Sequence, residues 1–306
     1  MIGPFGGFGG MKYPRYILVT PARNEEALLE RTVRSVAEQT VLPESWVIVD
    51  DGSTDRTEAI IRSSAARFPW IRLVKCPDHA DRQFAAKALA FGAGYAVVRG
   101  MPHEIIGNLD ADLTFGPDVM EFLMGRFAED PNLGVAGVPF LEDGRAYDYR
   151  FTNIDHVSGA CQLFRRECFD MIGGYTPIEG GGIDWLAVTT ARMRGWRTRT
   201  FTERVVVHHR KMGTGEHSAW RALVRLGQKD YRLGNHPLWE AFRALYQMKS
   251  RPYIIGGMAI LGGYLASFLL RDHRPVPREV IGFCRREQIR RLGRALGLGR
   301  IGKFHR

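Results

Sequence analysis

Two rhythms of apolar and polar residues alternate along the first half of this chain. Short apolar runs at 16–20, 46–50, 71–75, 104–109 and 133–139 read as strands buried on both faces. Between them, 25–39, 55–67, 82–99 and 117–128 carry apolar residues at helical spacing, as Leu28, Leu29, Val33 and Val36 do in the first. Strict alternation of this kind predicts an α/β fold with a mainly parallel central sheet and helices on both faces. The pattern then loosens. Residues 141–165 read as irregular, 167–175 as a short helix closed by Gly173-Gly174, 185–194 as a helix stopped by Gly195, and 196–201 and 203–209 as strands.

After 213 the composition changes. Residues 218–250 predict amphipathic helices on Trp220, Leu223, Leu226, Trp239, Phe242, Leu245 and Tyr246. Residues 254–270 then run for 17 positions without a charge. At about 1.5 Å per residue such a helix is about 25 Å long, short of a bilayer core of about 30 Å. It reads as a short span, an interfacial segment or a buried helix. Of the net charge of +10, residues 271–306 hold +8 and the rest of the chain +2. A span would place the basic tail across the membrane from the catalytic-looking half, against the tendency of basic segments to stay cytoplasmic. The preferred expectation is therefore a monotopic attachment, in which 254–270 dips into one leaflet and the basic tail stays at the anionic, cytoplasmic face of the inner or plasma membrane. Ile281, Cys284, Ile289, Leu292 and Leu296 lie near one stripe of a predicted helix at 278–296, with the arginines largely elsewhere. A basic helix packed on its own protein is the plainer reading of the same stripe. Phe283 and Phe304 are the aromatic residues of this basic run, which argues against nucleic acid as a partner.

These shifts divide the chain into a leader at 1–13, an α/β domain at 14–212 (halves 14–140 and 141–212) and a helical, basic, membrane-associating extension at 213–306. The Gly-rich leader is no signal peptide, and Met11, just before the first strand, is a candidate start. Four cysteines without C-x-x-C spacing, Cys76, Cys161, Cys168 and Cys284, read as core residues of a reducing compartment.

The chemistry gathers at strand ends. The run EIIGNLDADLT (104–114) closes on Asp110-Ala111-Asp112. Alternation in an extended chain points both carboxylates the same way, where they repel unless a cation sits beside them. A divalent ion, Mn²⁺ or Mg²⁺, which takes oxygen ligands and bridges to phosphates, is the expected answer. The strands at 16–20 and 46–50 end in Pro21-Ala22-Arg23-Asn24-Glu25 and in Asp50-Asp51-Gly52-Ser53-Thr54-Asp55. Open parallel sheets bind ligands at such carboxyl ends.

Four stretches, VTPARNEE (19–26), VIVDDGSTD (47–55), NLDAD (108–112) and IGGYTPIEGGGIDW (172–185), stand in the order and at about the spacing of the family 2 glycosyltransferases. The chain resembles these inverting enzymes over roughly 14–210. The resemblance implies a GT-A-type, Rossmann-like single domain and a nucleotide-diphosphate sugar donor. It implies donor contacts from Pro21, Arg23, Glu25, Asp50 or Asp51, Arg82, Asp110 and Asp112, with Lys87 a weaker candidate that also reads as a solvated helix position. It makes Asp112 the direct metal ligand, completed by His208 or His209, of which alternation lets one face the cleft, and His208 is preferred. Asp184 is the implied catalytic base. The family's Glu before that Asp is Ile183 here, and Glu179 is the fallback. Arg210 and Lys211 are further candidates for the diphosphate, and His156 and Ser158 for the acceptor's path. Together with the apolar tail, the resemblance points to a lipid-linked glycan acceptor in cell-envelope or polysaccharide assembly. A polyprenyl-phosphate acceptor, or a degenerate binding protein, is the alternative.

Overall fold

Each apolar run of the first half becomes a strand and each helical pattern a helix. In chain order these are β1 (Tyr16–Ala22), α1 (Leu29–Ala37), β2 (Ser45–Asp50), α2 (Thr57–Arg67), β3 (Ile71–Lys75), α3 (Phe84–Val98) and β4 (Ile105–Leu109). There follow β5 (Leu113–Phe115), α4 (Val119–Glu129), β6 (Leu133–Gly137), β7 (Phe140–Leu141), β8 (Cys161–Arg165), α5 (Arg166–Ile172), α6 (Ile183–Met193), β9 (Arg197–Thr200) and β10 (Val206–His208). Four helices come next: α7 (Ala219–Arg232), α8 (Pro237–Gln247), α9 (Tyr253–Leu269) and α10 (Arg278–Ala295). The structure, a computed structural model, describes residues 13–76, 84–142, 144, 153–178, 180–210, 219–249 and 252–297.

The main sheet has the order β3-β2-β1-β4-β8-β6-β9. All strands run one way except β8, which is antiparallel to both β4 and β6. Alternate residues fill the two faces. Tyr16, Leu18, Trp46 and Ile48 enter one core with α1, α2 and α4, while Ile17, Val19, Val47 and Val49 enter the other with α3, α5 and α6. Burial on both faces is why these strands read as unbroken apolar runs. The β1–β4 ladder stops at Val19↔Asn108, whereas β1–β2 continues to Ala22↔Asp50. Pro21, which has no N–H to give, comes after that stop. The strand order reverses between β1 and β4, and open sheets bind ligands in the crevice at such a point.

The central strand β8 is absent from the sequence expectation, which left 141–165 irregular. Its apolar pattern is interrupted by Gln162, a polar residue that is fully buried. That amide is satisfied: Nε2 donates to the Val157 carbonyl at 2.7 Å and Oε1 accepts from the Tyr175 hydroxyl at 2.5 Å. In the second sheet, β5-β10-β7, β10 falls within the strand expected at 203–209, whereas β5 and β7 are new, because strands of three and two residues carry no period. In it β10 pairs antiparallel with β5 in the register His208↔Leu113.

Two compact units emerge. One comprises residues up to Pro177 with Ile183–Lys211; the other comprises Ile178–Gly182 with residues from Met212 onward. In the second unit, α9 packs on α7 and α8 through glycines. A Cβ at Gly263 would lie 2.1 Å from the Val224 carbonyl oxygen, and one at Gly257 2.2 Å from that of Ala244. Val280, Ile281, Cys284 and Gln288 of α10 are buried. The first half of the stripe expected to meet a membrane is thus packed inside the protein, and Ile289 and Leu296 remain exposed. No described helix is long and apolar enough to cross a membrane.

A buried polar network ties these helices together. Arg243 binds Asp230 at 2.5 Å and approaches Glu240 at 3.6 Å, Asn235 donates to Glu240 at 3.2 Å, and Gln288 donates to Asn235 at 2.7 Å. Burial first, and then the charge of Asp230, pushes the Glu240 carboxyl up to about 7 against the pull of Arg243. The folded state therefore holds a proton that the unfolded chain releases near pH 4.5. Stability is fully present below that pH and falls as pH rises through about 7. Urea unfolding followed by circular dichroism is expected to show a lower midpoint at neutral than at mildly acidic pH, and Glu240→Gln to flatten the difference. A wild-type midpoint that does not move across this interval would contradict it.

Candidate active site

The D-x-D segment is held by its backbone. The Asp110 N–H donates to the Ala160 carbonyl at 2.9 Å, and the Thr32 hydroxyl donates to the Ala111 carbonyl at 2.7 Å. The His209 N–H donates to the Asp112 carbonyl at 3.1 Å, and the Leu113 N–H to Thr32 Oγ1 at 3.1 Å. Ala111 and Asp112 form a turn between β4 and β5 rather than the extended strand end that the sequence suggested. The carboxylates converge all the same, because the turn carries the chain from one sheet into the other.

Asp110, Asp112 and His208 each present a ligand atom within 4.8 Å of the other two. His208 Nε2 lies 3.5 Å from Asp112 Oδ1. The β5–β10 register puts His208 beside the turn, buried, while its neighbour His209 is exposed and shares a 2.7 Å hydrogen bond with Thr114 Oγ1. Of the two histidines, His208 is the one that faces the aspartates. Burial foremost, with Asp110 beside it, holds the Asp112 carboxyl above the usual carboxylate range, against His208 and Arg210. His208 Nδ1 and Asn108 Oδ1 are buried without a hydrogen-bond partner. Two carboxylates, an imidazole and unsatisfied polar atoms beside them form a donor set that suits a divalent ion.

Lys87 is the residue that the sequence undervalued. Its Nζ bonds Asp110 Oδ1 at 2.5 Å, with the lysine side chain 32% exposed. Burial works against its charge, but Asp110, Asp184 and Asp112 together outweigh it and raise its pKa. The signal was present in α3: Lys87 falls on the helical stripe of Phe91, Gly94 and Val98, one cation on a face that otherwise turns inward.

Asp184 stands in the first turn of α6, half-buried. The chain reaches it through Gly180, Gly181 and Gly182, with φ of 82°, 88° and 98°, a left-handed run suited to glycine. The Gly159 N–H donates to Asp184 Oδ2 at 3.2 Å, and Asn108 Nδ2 donates to the Gly159 carbonyl. A Cβ at 159 would sit 3.0 Å from the Asp184 Cβ. Gly159 therefore links the candidate base to β4 and the D-x-D turn. The sequence reading did not single out Asn108 or Gly159.

The two Asp/Glu-rich loops at the crevice are stitched to each other. The Asn24 N–H donates to Ser53 Oγ at 3.1 Å, and Asn24 Oδ1 accepts from the Thr54 N–H at 2.8 Å. Asp50, 2% exposed, ends β2 and accepts from the Ser53 N–H at 3.0 Å, so its carboxylate closes its own loop. Asp51 is buried next to it, and its N–H donates to the Ala22 carbonyl at 2.9 Å. Pro21 and Arg23 are half-buried at the end of β1. Buried Glu25 is bonded by Arg210 at 2.7 Å, which places Arg210 beside the β1 loop. His156 and Ser158 are half-buried on the segment before β8. Arg82, Glu179 and Lys211 lie outside the described residues.

A family model described as "Glycosyl transferase family 2" matches residues 17–172, just over half the chain and the span that supplies both loops, the D-x-D turn and Gly159. The chain belongs to glycosyl transferase family 2. Among curated family relatives, a Synechocystis beta-monoglucosyldiacylglycerol synthase is 26% identical over 217 residues, 68% of this chain and 43% of that protein. A Staphylococcus aureus 4,4'-diaponeurosporenoate glycosyltransferase is 30% identical over 136 residues, 43% of this chain and 33% of that one. The chain thus spans less than half the length of these relatives. Among solved structures, the Pyrobaculum calidifontis mannosyltransferase PcManGT, in complex with GDP-Man and Mn²⁺, superposes with a TM-score of 0.57 at 21% identity, over 94% of this chain and 81% of that one. S. aureus TarS 1-349 in complex with UDP-GlcNAc gives 0.53 at 13% identity, over 93% and 83%. The fold is the α/β, Rossmann-like GT-A fold of this family.

Mn²⁺ titration followed by paramagnetic resonance tests the ligand set. His208→Ala and Asp112→Ala are each expected to weaken binding at least about 10-fold, and His209→Ala to leave it nearly unchanged. Equal losses for the two histidines would remove the assignment.

Proposed function

We propose that this chain moves one sugar from a nucleotide-diphosphate donor to a hydroxyl of a lipid-linked acceptor, with inversion, at the cytoplasmic face of a membrane. The observation that carries the reading is the grouping of a candidate base, Asp184, with Asp110, Asp112 and His208 around the charged Lys87, at the carboxyl edge of the sheet. Family membership and the donor complexes of structural neighbours, GDP-Man and UDP-GlcNAc, support a nucleotide-sugar donor. Two relatives, the beta-monoglucosyldiacylglycerol synthase and the 4,4'-diaponeurosporenoate glycosyltransferase, support a lipid acceptor.

Asp184 has one oxygen held by the Gly159 N–H, which leaves the other for the acceptor hydroxyl. The acceptor hydroxyl gives its proton to Asp184 as its oxygen bonds the anomeric carbon. The bond from that carbon to the phosphate oxygen breaks, and the nucleoside diphosphate leaves. One displacement inverts the configuration. Lys87, charged and close to Asp110, Asp112 and Asp184, lowers the electrostatic cost of bringing a diphosphate to this acidic edge. Asp110, Asp112 and His208 are the residues that would hold a divalent ion, and the imidazole among them favours Mn²⁺ over the strictly oxygen-seeking Mg²⁺. Such an ion supplies Lewis-acid neutralisation of the leaving phosphate. The loops of Pro21–Glu25 and Asp50–Asp51, stitched through Asn24, would grip the nucleoside.

Calorimetry with UDP-, GDP- and dTDP-sugars, with Mn²⁺ and with EDTA, tests the donor. Metal-dependent binding of one nucleotide class, lost in Asp112→Ala, is expected, and folded protein that binds none would overturn the reading. Asp184→Asn is expected to keep donor affinity and lose transfer by about 10²–10⁴-fold. If most transfer survived, the acceptor would be an already ionised group such as a lipid phosphate. Gly159→Ala is expected to lower kcat by about 10–100-fold with donor affinity unchanged, through displacement of Asp184.

A further inference from the structure

Helix α9 inverts the usual order of a surface helix. Its inward side is rich in small residues: Gly256, Gly257, Ala259, Gly263 and Ser267 are buried, together with Ile260 and Tyr264. Six large apolar residues point outward: Ile254, Ile255, Met258, Leu265, Phe268 and Leu269 are between 47% and 78% exposed. At the helical period these six form one stripe along the whole length of α9, with no charged residue in it. The inward face approaches other backbones closely, at Val224 of α7 and Ala244 of α8. A helix facing water carries polar residues on its outer side. Small residues at the helix contacts and large apolar ones outside are the order of helices in lipid, where the surroundings are as apolar as the side chains.

The charge of the same unit fits one kind of surface. Among its described residues Glu279 is the one acid in the exposed class, against Arg221, Arg225, Lys249, Arg271, Arg286 and Arg290 among the exposed cations. Such a basic surround is attracted to anionic headgroups. Crossing is excluded by packing. The inner face of α9 is covered by α7 and α8, so a span would draw Arg221, Arg225 and Lys249 into hydrocarbon.

We infer that the outer stripe of α9 is the membrane-docking surface of this protein: the helix lies in the plane of one leaflet, with its large side chains among the acyl chains and the arginines and lysine at anionic headgroups. The attachment thus rests on α9, the segment expected to dip into one leaflet, while α10 buries Val280, Ile281, Cys284 and Gln288. It deepens the lipid-acceptor reading and rests on it for its purpose, while the surface itself is testable without catalysis. A second copy of the chain seated on the stripe is the competing occupant.

The full chain is floated with vesicles of phosphatidylcholine alone and of phosphatidylcholine mixed with phosphatidylglycerol. The wild type is expected to rise with the anionic vesicles, more weakly with the neutral ones, and Met258→Glu/Leu265→Glu to lose at least about 10-fold in vesicle binding. Light scattering without lipid and nucleotide-sugar calorimetry are run on the same samples. A wild type that stays unbound, or a double variant that floats like it, overturns the surface. So does a wild-type dimer that the variant turns into a monomer. Lost flotation with donor binding kept in the variant shows that the fold is intact and supports the proposal. Flotation as expected without donor binding leaves the surface standing and overturns the enzyme reading.

Discussion

Carboxylates brought together repel, and the site of this chain brings together Asp110, Asp112 and Asp184 on a crevice already flanked by Asp50, Asp51 and Glu25. Lys87 is the fixed answer to that repulsion. Its 2.5 Å bond to Asp110 and the attraction of all three aspartates keep it charged in spite of burial. In the proposed reading, a lysine there also reduces the electrostatic cost of bringing a nucleoside diphosphate to this acidic edge. It occupies one oxygen of Asp110, which makes Asp112 and His208 the more open members of the candidate metal set.

The carboxylates stay where they are because backbone groups hold them. Thr32 accepts from one peptide and donates to another on either side of Asp112, while Ala160 and His209 take the remaining groups. Buried backbone polar groups need partners, and here that need fixes the turn. Gly159 extends the same logic to Asp184: its N–H meets the carboxylate, its carbonyl meets Asn108, and its lack of a side chain leaves room for both. Asp184 and the D-x-D turn are thereby referenced to one strand, β4, although they lie more than 70 residues apart in the chain.

The helical unit answers to different surroundings. Its glycines let three helices approach at backbone distance, and its interior carries a charged network around Glu240 and Arg243. Large apolar side chains that would normally fill such a core face outward on α9 instead. The arrangement makes physical sense when the outside is apolar.

The sequence alone determined the alternating α/β plan, because strands buried on both faces must be apolar throughout and amphipathic helices must repeat at their own period. It also determined which chemistry was available, since the two acid-rich loops and the D-x-D fall at strand ends whatever the details of packing. It did not determine β8, where a buried Gln breaks the pattern, or the β5–β10 pairing, whose strands are too short to carry a period. That pairing is what separated His208 from His209. Lys87 read as a surface lysine because the aspartates it serves come from the turn after β4 and from α6, distant in sequence. The apolar run at 254–270 was legible as a helix, but which of its faces met the protein depended on where α7 and α8 came to rest against its glycines. Local pattern reports what a segment prefers; partners far along the chain decide which side of it is used.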